Sequence, residues 1–407
     1  MQNKQSILLI FLTILILTVS GCSSLPSGKC ADCYHPTHRM LFSQVDPVSV
    51  QLDQDNILMI GGGVQDQNGN DDLEKSFRAT QIYNIPEDRF YFAGSMHFSR
   101  TSQHCYTVTR LKDGRVLIIG GENYYTGKAI SEIEIFNPKN RTFQIVPSIS
   151  IPRINHTATL LPDGKVLIAG GYTQEERNEP GQNLSSALLF DPINNTIKNT
   201  KPMVMPMEFH SSVLLDNHRV LLVGGREDTA RAACISHAEY YDIQKNAFFE
   251  LPNMNNVYCK PNLLLLSNGN ILIMSKGQSA IESFNRNTNR FSSFFSNPYF
   301  AADPVLLDDN SIFFAMAGPP LEKKYPWGSE DRGYSELIFL KENHPILIGP
   351  MPNRPINYSS TFISKNRVYT LGGVTSKPFG KAKLPVYMTT GYYINIPDLT
   401  KLKGKAP

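Results

Sequence analysis

Little in this chain points to chemistry. Its 407 residues hold one tryptophan, and only 18% of them are charged. The 39 Lys+Arg against 36 Asp+Glu leave a formal net charge of +3. A near-neutral chain of this size lacks the concentrated basic face that tracks phosphates, so nucleic acid is not an expected partner. Its only basic cluster is the tail Lys401, Lys403, Lys405, and short runs of that kind are normally solvated. Gly-x-Ser-x-Gly, a phosphate loop and His-Glu-x-x-His are all missing. With them go the serine-hydrolase elbow, the nucleotide cradle and the zincin helix, so no catalytic residue, metal or soluble cofactor is assigned.

A membrane-spanning length is also missing at the N-terminus. Ile7 to Val19 is a run of thirteen almost wholly apolar residues behind Lys4, whereas ~30 Å of hydrocarbon takes about 20. Thirteen suits the core of a signal peptide. The run leads into Val19-Ser20-Gly21-Cys22, which resembles the bacterial lipobox. That resemblance implies a signal peptide over 1–21, cleavage before Cys22 and a diacylglyceryl group on its sulfur. Acyl chains there would hold the protein stably on a bilayer. Ser23 follows the cysteine where Asp would imply inner-membrane retention, so the implied place is the outer membrane of a bacterial cell envelope. An ordinary secretory signal or a short anchor is the alternative.

With Cys22 consumed, Cys30, Cys33, Cys105, Cys234 and Cys259 remain. In an oxidising compartment disulfides are allowed, and an odd count leaves at least one thiol or an intermolecular bond. Cys30-Ala-Asp-Cys33-Tyr-His35-Pro-Thr-His38 crowds four possible metal ligands into nine residues. Zinc sites usually pair two such knuckles across a longer loop, so a local disulfide or unused residues of a tether over 22–39 fit better than a metal or a redox dithiol.

What the chain does have is punctuation. Apolar β-runs close on Gly61-Gly62, Gly120-Gly121, Gly170-Gly171, Gly224-Gly225 and Gly372-Gly373, with degenerate counterparts at Met274-Ser275 and Met316-Ala317. A period near 50 residues made of short strands means a radial β-array. The fullest copy runs from Arg153 and His156 through the turn Pro162-Asp163-Gly164 to Gly170-Gly171, then to Phe190-Asp191 and Ile197. It reads as four antiparallel strands, the second fully buried.

A large aromatic precedes a second large apolar residue by seven positions at Tyr83/Phe90, Phe136/Phe143, Phe190/Ile197, Tyr241/Phe248, Phe284/Phe291 and Phe339/Ile346. Such sheets cannot bury their own faces and must stack on one another.

These features resemble kelch repeats over about 350 residues: the glycine doublet, the Arg-x-x-His start at Arg153/His156, the turns Asp113-Gly114 and Asp163-Gly164, and the third-strand aromatic. The fourth-strand tryptophan usual in kelch repeats is replaced by Phe or Ile, and Trp327 lies in a long loop. The resemblance implies an all-β, seven-bladed kelch-type β-propeller over 40–396, with a basic tail over 397–407. A six-bladed ring with one divergent insertion is the alternative. Arg39 to Phe42 reads as the end of an outer strand that closes the ring by completing the last blade, whose third strand is Tyr392 to Asn395.

Short turns join strands one to two and three to four, while long segments follow the doublets: 63–78, 122–130, 172–184, 318–334 and 374–388. Binding usually resides on long loops over a rigid scaffold. Their end of the propeller gathers Arg100, His104, Arg153, His156, Glu208, His210, Lys260, Arg354 and Tyr358, with Arg226 and Glu227 in a neighbouring loop. Kelch interaction domains bind acidic ligands through arginines, which by resemblance nominates Arg100, Arg153 and Arg354. The competing reading has these arginines and histidines bonding neighbouring backbone.

The expected protein is a monomeric, membrane-anchored scaffold that binds a protein or glycan. The alternative is a carbohydrate-active envelope enzyme. Glu208, Arg153 and Arg226-Glu227 would serve a sugar epimerase. A galactose-oxidase-like copper enzyme is less favoured, because the Tyr-His dipeptide it needs occurs only as Tyr34-His35 in the tether.

Overall fold

Asx- and glycine-centred turns between apolar runs make antiparallel hairpins, and every regular element among the described residues is a β-strand. The computed structural model describes residues 35–395 except 43, 45–46, 63–76, 101–104, 124–125, 175–180, 228–232, 276–277, 297–299, 309–310, 319–333, 340–343, 351–359, 365–366, 372–373, 380–381 and 388–389. The signal segment, Cys22, Cys30, Cys33, Trp327, the Gly372-Gly373 pair and the tail 397–407 lie outside the described residues.

Six consecutive stretches each fold into a four-stranded antiparallel blade of a β-propeller. Blade 1 is Val48–Gln51, Asn56–Ile60, Ala79–Asn84 and Arg89–Ser95. Blade 2 is Tyr106–Arg110, Val116–Gly120, Ile133–Asn137 and Thr142–Val146. Blade 3 is Thr157–Leu160, Val166–Ala169, Ala187–Asp191 and Thr196–Asn199. Blade 4 is Ser211–Leu214, Arg219–Val223, Ala238–Asp242 and Ala247–Glu250. Blade 5 is Asn262–Leu265, Ile271–Met274, Ala280–Asn285 and Arg290–Ser296. Blade 6 is Phe300–Asp308, Ser311–Gly318, Tyr334–Phe339 and His344–Pro350.

A further four-stranded sheet is composite. Ser360–Ser364, Arg367–Leu371 and Thr390–Asn395 come from one end of the chain, and His35–Arg39 from the other. The outer strand expected to end over Arg39 to Phe42 ends at Arg39 and lies inside the segment read as tether. Pro36 sits comfortably there, because an edge strand need not donate every ladder hydrogen bond.

The seven-residue interval has a local cause. Tyr83 pairs with Phe90, Phe136 with Phe143, Phe190 with Ile197, Tyr241 with Phe248 and Phe284 with Phe291 directly across strands three and four. In each case the residue two before the second partner is left-handed: Asp88, Arg141, Asn195, Asn246 and Asn289, with φ between 47° and 58°. One turn geometry, repeated five times, fixes the spacing. Where the first partner is tyrosine, its hydroxyl donates to that residue's side chain, Tyr83 to Asp88 and Tyr241 to Asn246, both at 2.7 Å. The sixth expected pair is not formed. Phe339 faces His344 and Ile346 faces Leu337, so Ile346 stands opposite a residue two places earlier than expected.

Second strands such as Val116–Gly120 and Val166–Ala169 are wholly buried. Each apolar cluster draws on two neighbouring sheets, as Leu117 and Ile135 of blade 2 pack with Ile168 and Phe190 of blade 3. The core thus lies between blades, as expected of sheets that cannot bury their own faces. The composite sheet packs on blade 1 in the same way, with Tyr369 and Leu371 against Ile57, Tyr83 and Phe90.

Pairing also corrects the two degenerate doublets. Asn262 faces Met274 as Ser211 faces Val223 and Thr157 faces Ala169, so Ser275, one residue later than read, holds the first-glycine place. Met316-Ala317 lies within a strand that continues to Gly318 and marks no exit from the sheet. Two of the long segments read as loops contain hairpins, Tyr172–Thr173 with Gln182–Asn183 and Val374–Phe379 with Ala382–Tyr387.

Candidate functional site

The doublets are built to receive the next blade. The residue just before or at the start of each first strand sits over the preceding blade's first glycine: Tyr106 over Gly61, His156 over Gly120, His210 over Gly170 and Pro261 over Gly224. Tyr106 therefore fills the register position that His104 fails to reach; His104 itself lies outside the described residues. The Tyr106 hydroxyl donates to the Ile60 carbonyl at 3.0 Å. His156 Nε2 shares a hydrogen bond with Thr107 Oγ1 at 2.9 Å, and His210 Nε2 with Thr157 Oγ1 at 3.0 Å. Each imidazole is thus a strut to the previous blade's first strand.

Burial holds the His156 imidazole well below its ordinary range, helped by the charge of Arg153, and burial pushes His210 down to about 3. Both are neutral struts. Protonation consequently favours the unfolded chain, in which histidine titrates near 6.5. Stability is fully present above about pH 6.5 and falls as pH drops below it, for His210 down to about 3, by up to ~1.4 kcal/mol per unit for each histidine. Urea denaturation at pH 7.5, 6 and 5 should show a slope that flattens in the His156→Gln/His210→Gln variant. An unchanged slope would remove the histidines from the account.

The nominated arginines are framework too. Arg100 and Arg153 are fully buried. Arg100 donates to the Gly120 and Glu132 carbonyls and pairs with Glu134 at 3.0 Å. Arg153 donates to the Gly170 carbonyl at 3.0 Å and to the Ser186 carbonyl at 3.2 Å. Burial lowers both guanidinium groups, Arg153 to about 10, while Glu134 opposes the shift at Arg100. The expectation that these two arginines meet an acidic ligand is corrected: their fork geometry clamps the carbonyls where their own blade turns out of the sheet. Arg354 and Tyr358 lie outside the described residues.

The remaining nominees do come together, where the starts of blades 4 and 5 meet. Glu208 and Arg226 exchange backbone hydrogen bonds of 3.2 and 2.8 Å. Glu208 accepts from Asn155 Nδ2 at 2.7 Å. The Arg226 guanidinium lies 5.0 Å over the Phe209 ring, with its Nε 3.3 Å from Cys259 Sγ. Glu227 and Lys260 flank them, both half-buried. A disulfide, Cys234–Cys259, fastens the loop of blade 4 to the start of blade 5 across a sequence separation of 25. Closing a loop of that length contributes roughly 3 kcal/mol in the chain-entropy account. Cys105 is buried as a thiol.

One feature of this end is invisible to motif reading. Asn155, Phe209 and Lys260 occupy matching places with left-handed φ of 54°, 52° and 50°. Their backbones form a belt: Asn155 N donates to Cys105 O at 3.0 Å, Phe209 N to Asn155 O at 3.1 Å and Lys260 N to Phe209 O at 2.6 Å. Asn tolerates that conformation, so Asn155 carries a sequence signal. Phe and Lys carry none.

The site offers mixed charge, an aromatic face and backbone edges. The Glu208 carboxylate is engaged by Asn155, and the Arg226 guanidinium by Phe209 and Cys259. With Arg153 withdrawn into the blade, the epimerase set is not assembled. Cys259 is committed to the disulfide. Among the described residues no three His, Cys, Asp or Glu are grouped to hold a metal ion.

No protein-family profile matches the chain. It is 25% identical over 153 residues to beta-scruin of Limulus polyphemus, covering 37% of this chain and 16% of that protein. To alpha-scruin of the same organism it is 27% identical over 131 residues, covering 32% and 14%. A stretch of 71 residues is 38% identical to part of tRNA wybutosine-synthesizing protein 4 of Saccharomyces cerevisiae, covering 17% of this chain and 10% of that protein. The chain thus matches only a small part of the length of each of these relatives. The solved structure of YjhT superposes with a TM-score of 0.54 at 12% identity, covering 76% of this chain and 99% of that one, a likeness of fold alone. Propeller architecture and similarity to the two scruins together support a kelch-type β-propeller.

Proposed function

We propose that this protein is a membrane-anchored binding module that recognises a protein or glycan across its long-loop end and carries out no reaction of its own. One observation carries the reading: the ionisable groups nearest the strand starts are spent on framework, Arg100 and Arg153 on carbonyls and His156 and His210 on neighbouring threonines. What is left at that end is a braced surface of loops, a hairpin and a disulfide, with Glu208, Arg226, Glu227, Phe209 and Lys260 upon it. Surfaces of aromatic and Arg groups on a rigid frame suit recognition.

In this reading the composite sheet is a seventh blade that closes the ring. Its packing on blade 1 and the proximity of Ser360–Ser364 to Phe300–Asp308 of blade 6 support that arrangement. The lipobox-like segment supplies a lipid on Cys22, placing a monomer on the outer membrane.

The test is capture from a cell-envelope extract and from immobilised glycans by the soluble chain beginning at Ser24. The identified ligand is then measured directly against Arg226→Ala/Lys260→Ala and against Lys139→Ala/Lys165→Ala on the opposite, short-turn end. Loss of roughly tenfold or more in affinity in the first variant alone is expected, about 1.4 kcal/mol. Loss in the second alone would move the site to the other end. Turnover of a captured sugar would replace binding with catalysis.

A further inference from the structure

We infer that the short-turn end of the propeller is held against an anionic lipid surface, with the long-loop end turned away from it. The inference rests on the anchored reading above and adds a direction to it. In each four-stranded sheet the third strand follows the connection at the loop end, so it runs from that end to the short-turn end. Thr390–Asn395 is the third strand of the composite sheet, and it delivers the chain to the short-turn end. His35–Arg39 runs antiparallel to it, with His35 opposite Tyr393 and Arg39 opposite Thr390, so the preceding segment arrives at the same end. Asn395 Nδ2 and His35 Nε2 stand 3.4 Å apart. The two described ends of the chain, His35 and Asn395, therefore lie side by side.

Twelve residues, 23–34, separate Cys22 from His35, a reach of at most about 45 Å when fully extended. The lysines at 401, 403 and 405 begin six residues past Asn395, where the last described strand ends. Juxtaposed basic residues are attracted to anionic headgroups within a Debye length. An independent sign lies in blade 3: Ile193, in the turn between its third and fourth strands, is 82% exposed at this same end. An apolar side chain so placed can dip into a headgroup layer, and the exposed apolar residues of the opposite end, Ile151, Val204 and Val257, are only 37–48% exposed.

The full chain, with Cys30 and Cys33 changed to Ser, is isolated from expressing bacterial membranes and reconstituted in phosphatidylglycerol/phosphatidylethanolamine vesicles bearing a headgroup quencher. One sample carries a fluorophore at Ile193→Cys and the other at Gln182→Cys. Quenching several-fold stronger at position 193 is expected, with the difference shrinking in phosphatidylcholine vesicles. Equal or reversed quenching on vesicle-bound protein overturns the direction while leaving the anchor intact. An undiminished difference in phosphatidylcholine overturns the anionic preference. Protein that carries no lipid and does not bind vesicles sinks the anchored reading, and the direction with it.

Discussion

Gly170→Ala should lower the unfolding free energy by roughly 3 kcal/mol, while Gly164→Ala, a few residues away, should cost about 1 kcal/mol. The comparison separates two effects that both glycines share in part. Each has positive φ, +61° at Gly170 and +91° at Gly164. Forcing an L-residue into left-handed space costs roughly 1–2 kcal/mol, partly offset by the reduced freedom of the unfolded chain. At Gly164 that is nearly all, since an added methyl group would meet only Lys112 Cδ at 3.7 Å. At Gly170 it would lie 2.8 Å from His210 Cε1, 2.8 Å from the Met207 carbonyl and 3.1 Å from Met203 Sδ. Overpacking of that kind adds ~1–3 kcal/mol. The neighbours that must yield belong to the start of blade 4, so the damage falls on the joint between two blades. Urea midpoints of the two variants test this, and equal shifts would mean that the doublet serves backbone freedom alone and does not receive the next blade.

That joint explains how much of the fold could be read in advance. Gly170-Gly171 and the seven-residue interval at Phe190/Ile197 are set by backbone geometry, which tolerates few residue types and therefore leaves a mark in the sequence. The position of the outer strand His35–Arg39 leaves no such mark, because an edge strand with Pro36 needs neither a turn residue nor a continuous apolar run. The candidate site was less legible still. Arg153 reads identically whether it faces a ligand or the Gly170 carbonyl, and only burial decides between them. Phe209 and Lys260 enter the left-handed belt because neighbouring blades force them to, a tertiary cause that no local preference reports. Cys234 and Cys259 were two of five cysteines with nothing in their spacing to pair them.

Arg100→Met should be the most damaging of the charge substitutions, at about 3–5 kcal/mol, because it strands a buried carboxylate. Glu134 is wholly buried and pairs with Arg100 at 3.0 Å, and among the described residues it also accepts from the His97 backbone N–H at 2.6 Å and meets its imidazole at 2.9 Å. The repeats themselves vary this pair. The place opposite Ile118 that Glu134 fills is Leu188 in blade 3, Glu239 in blade 4 and Glu282 in blade 5. Blade 3 thus keeps Arg153 without the acid. Blade 4 keeps the acid with Met207 at the position of Arg153, and Glu239 there accepts from the Val204 backbone N–H at 2.7 Å. In blade 5, Glu282 takes the backbone N–H groups of Asn255 and Asn256 at 2.9 and 2.6 Å.

A carboxylate at this place is therefore tolerable only when enough donors surround it, and the leucine alternative shows that the place itself is apolar. Two results follow. Arg153→Met should cost less than Arg100→Met, around 1–2 kcal/mol, since it leaves carbonyls and no buried charge unsatisfied. Glu134→Leu added to Arg100→Met should recover much of the loss, giving a coupling energy of about 2 kcal/mol or more in a double-mutant cycle. Additive effects in that cycle would mean that Glu134 is held by the His97 loop and that Arg100 serves only the Gly120 carbonyl.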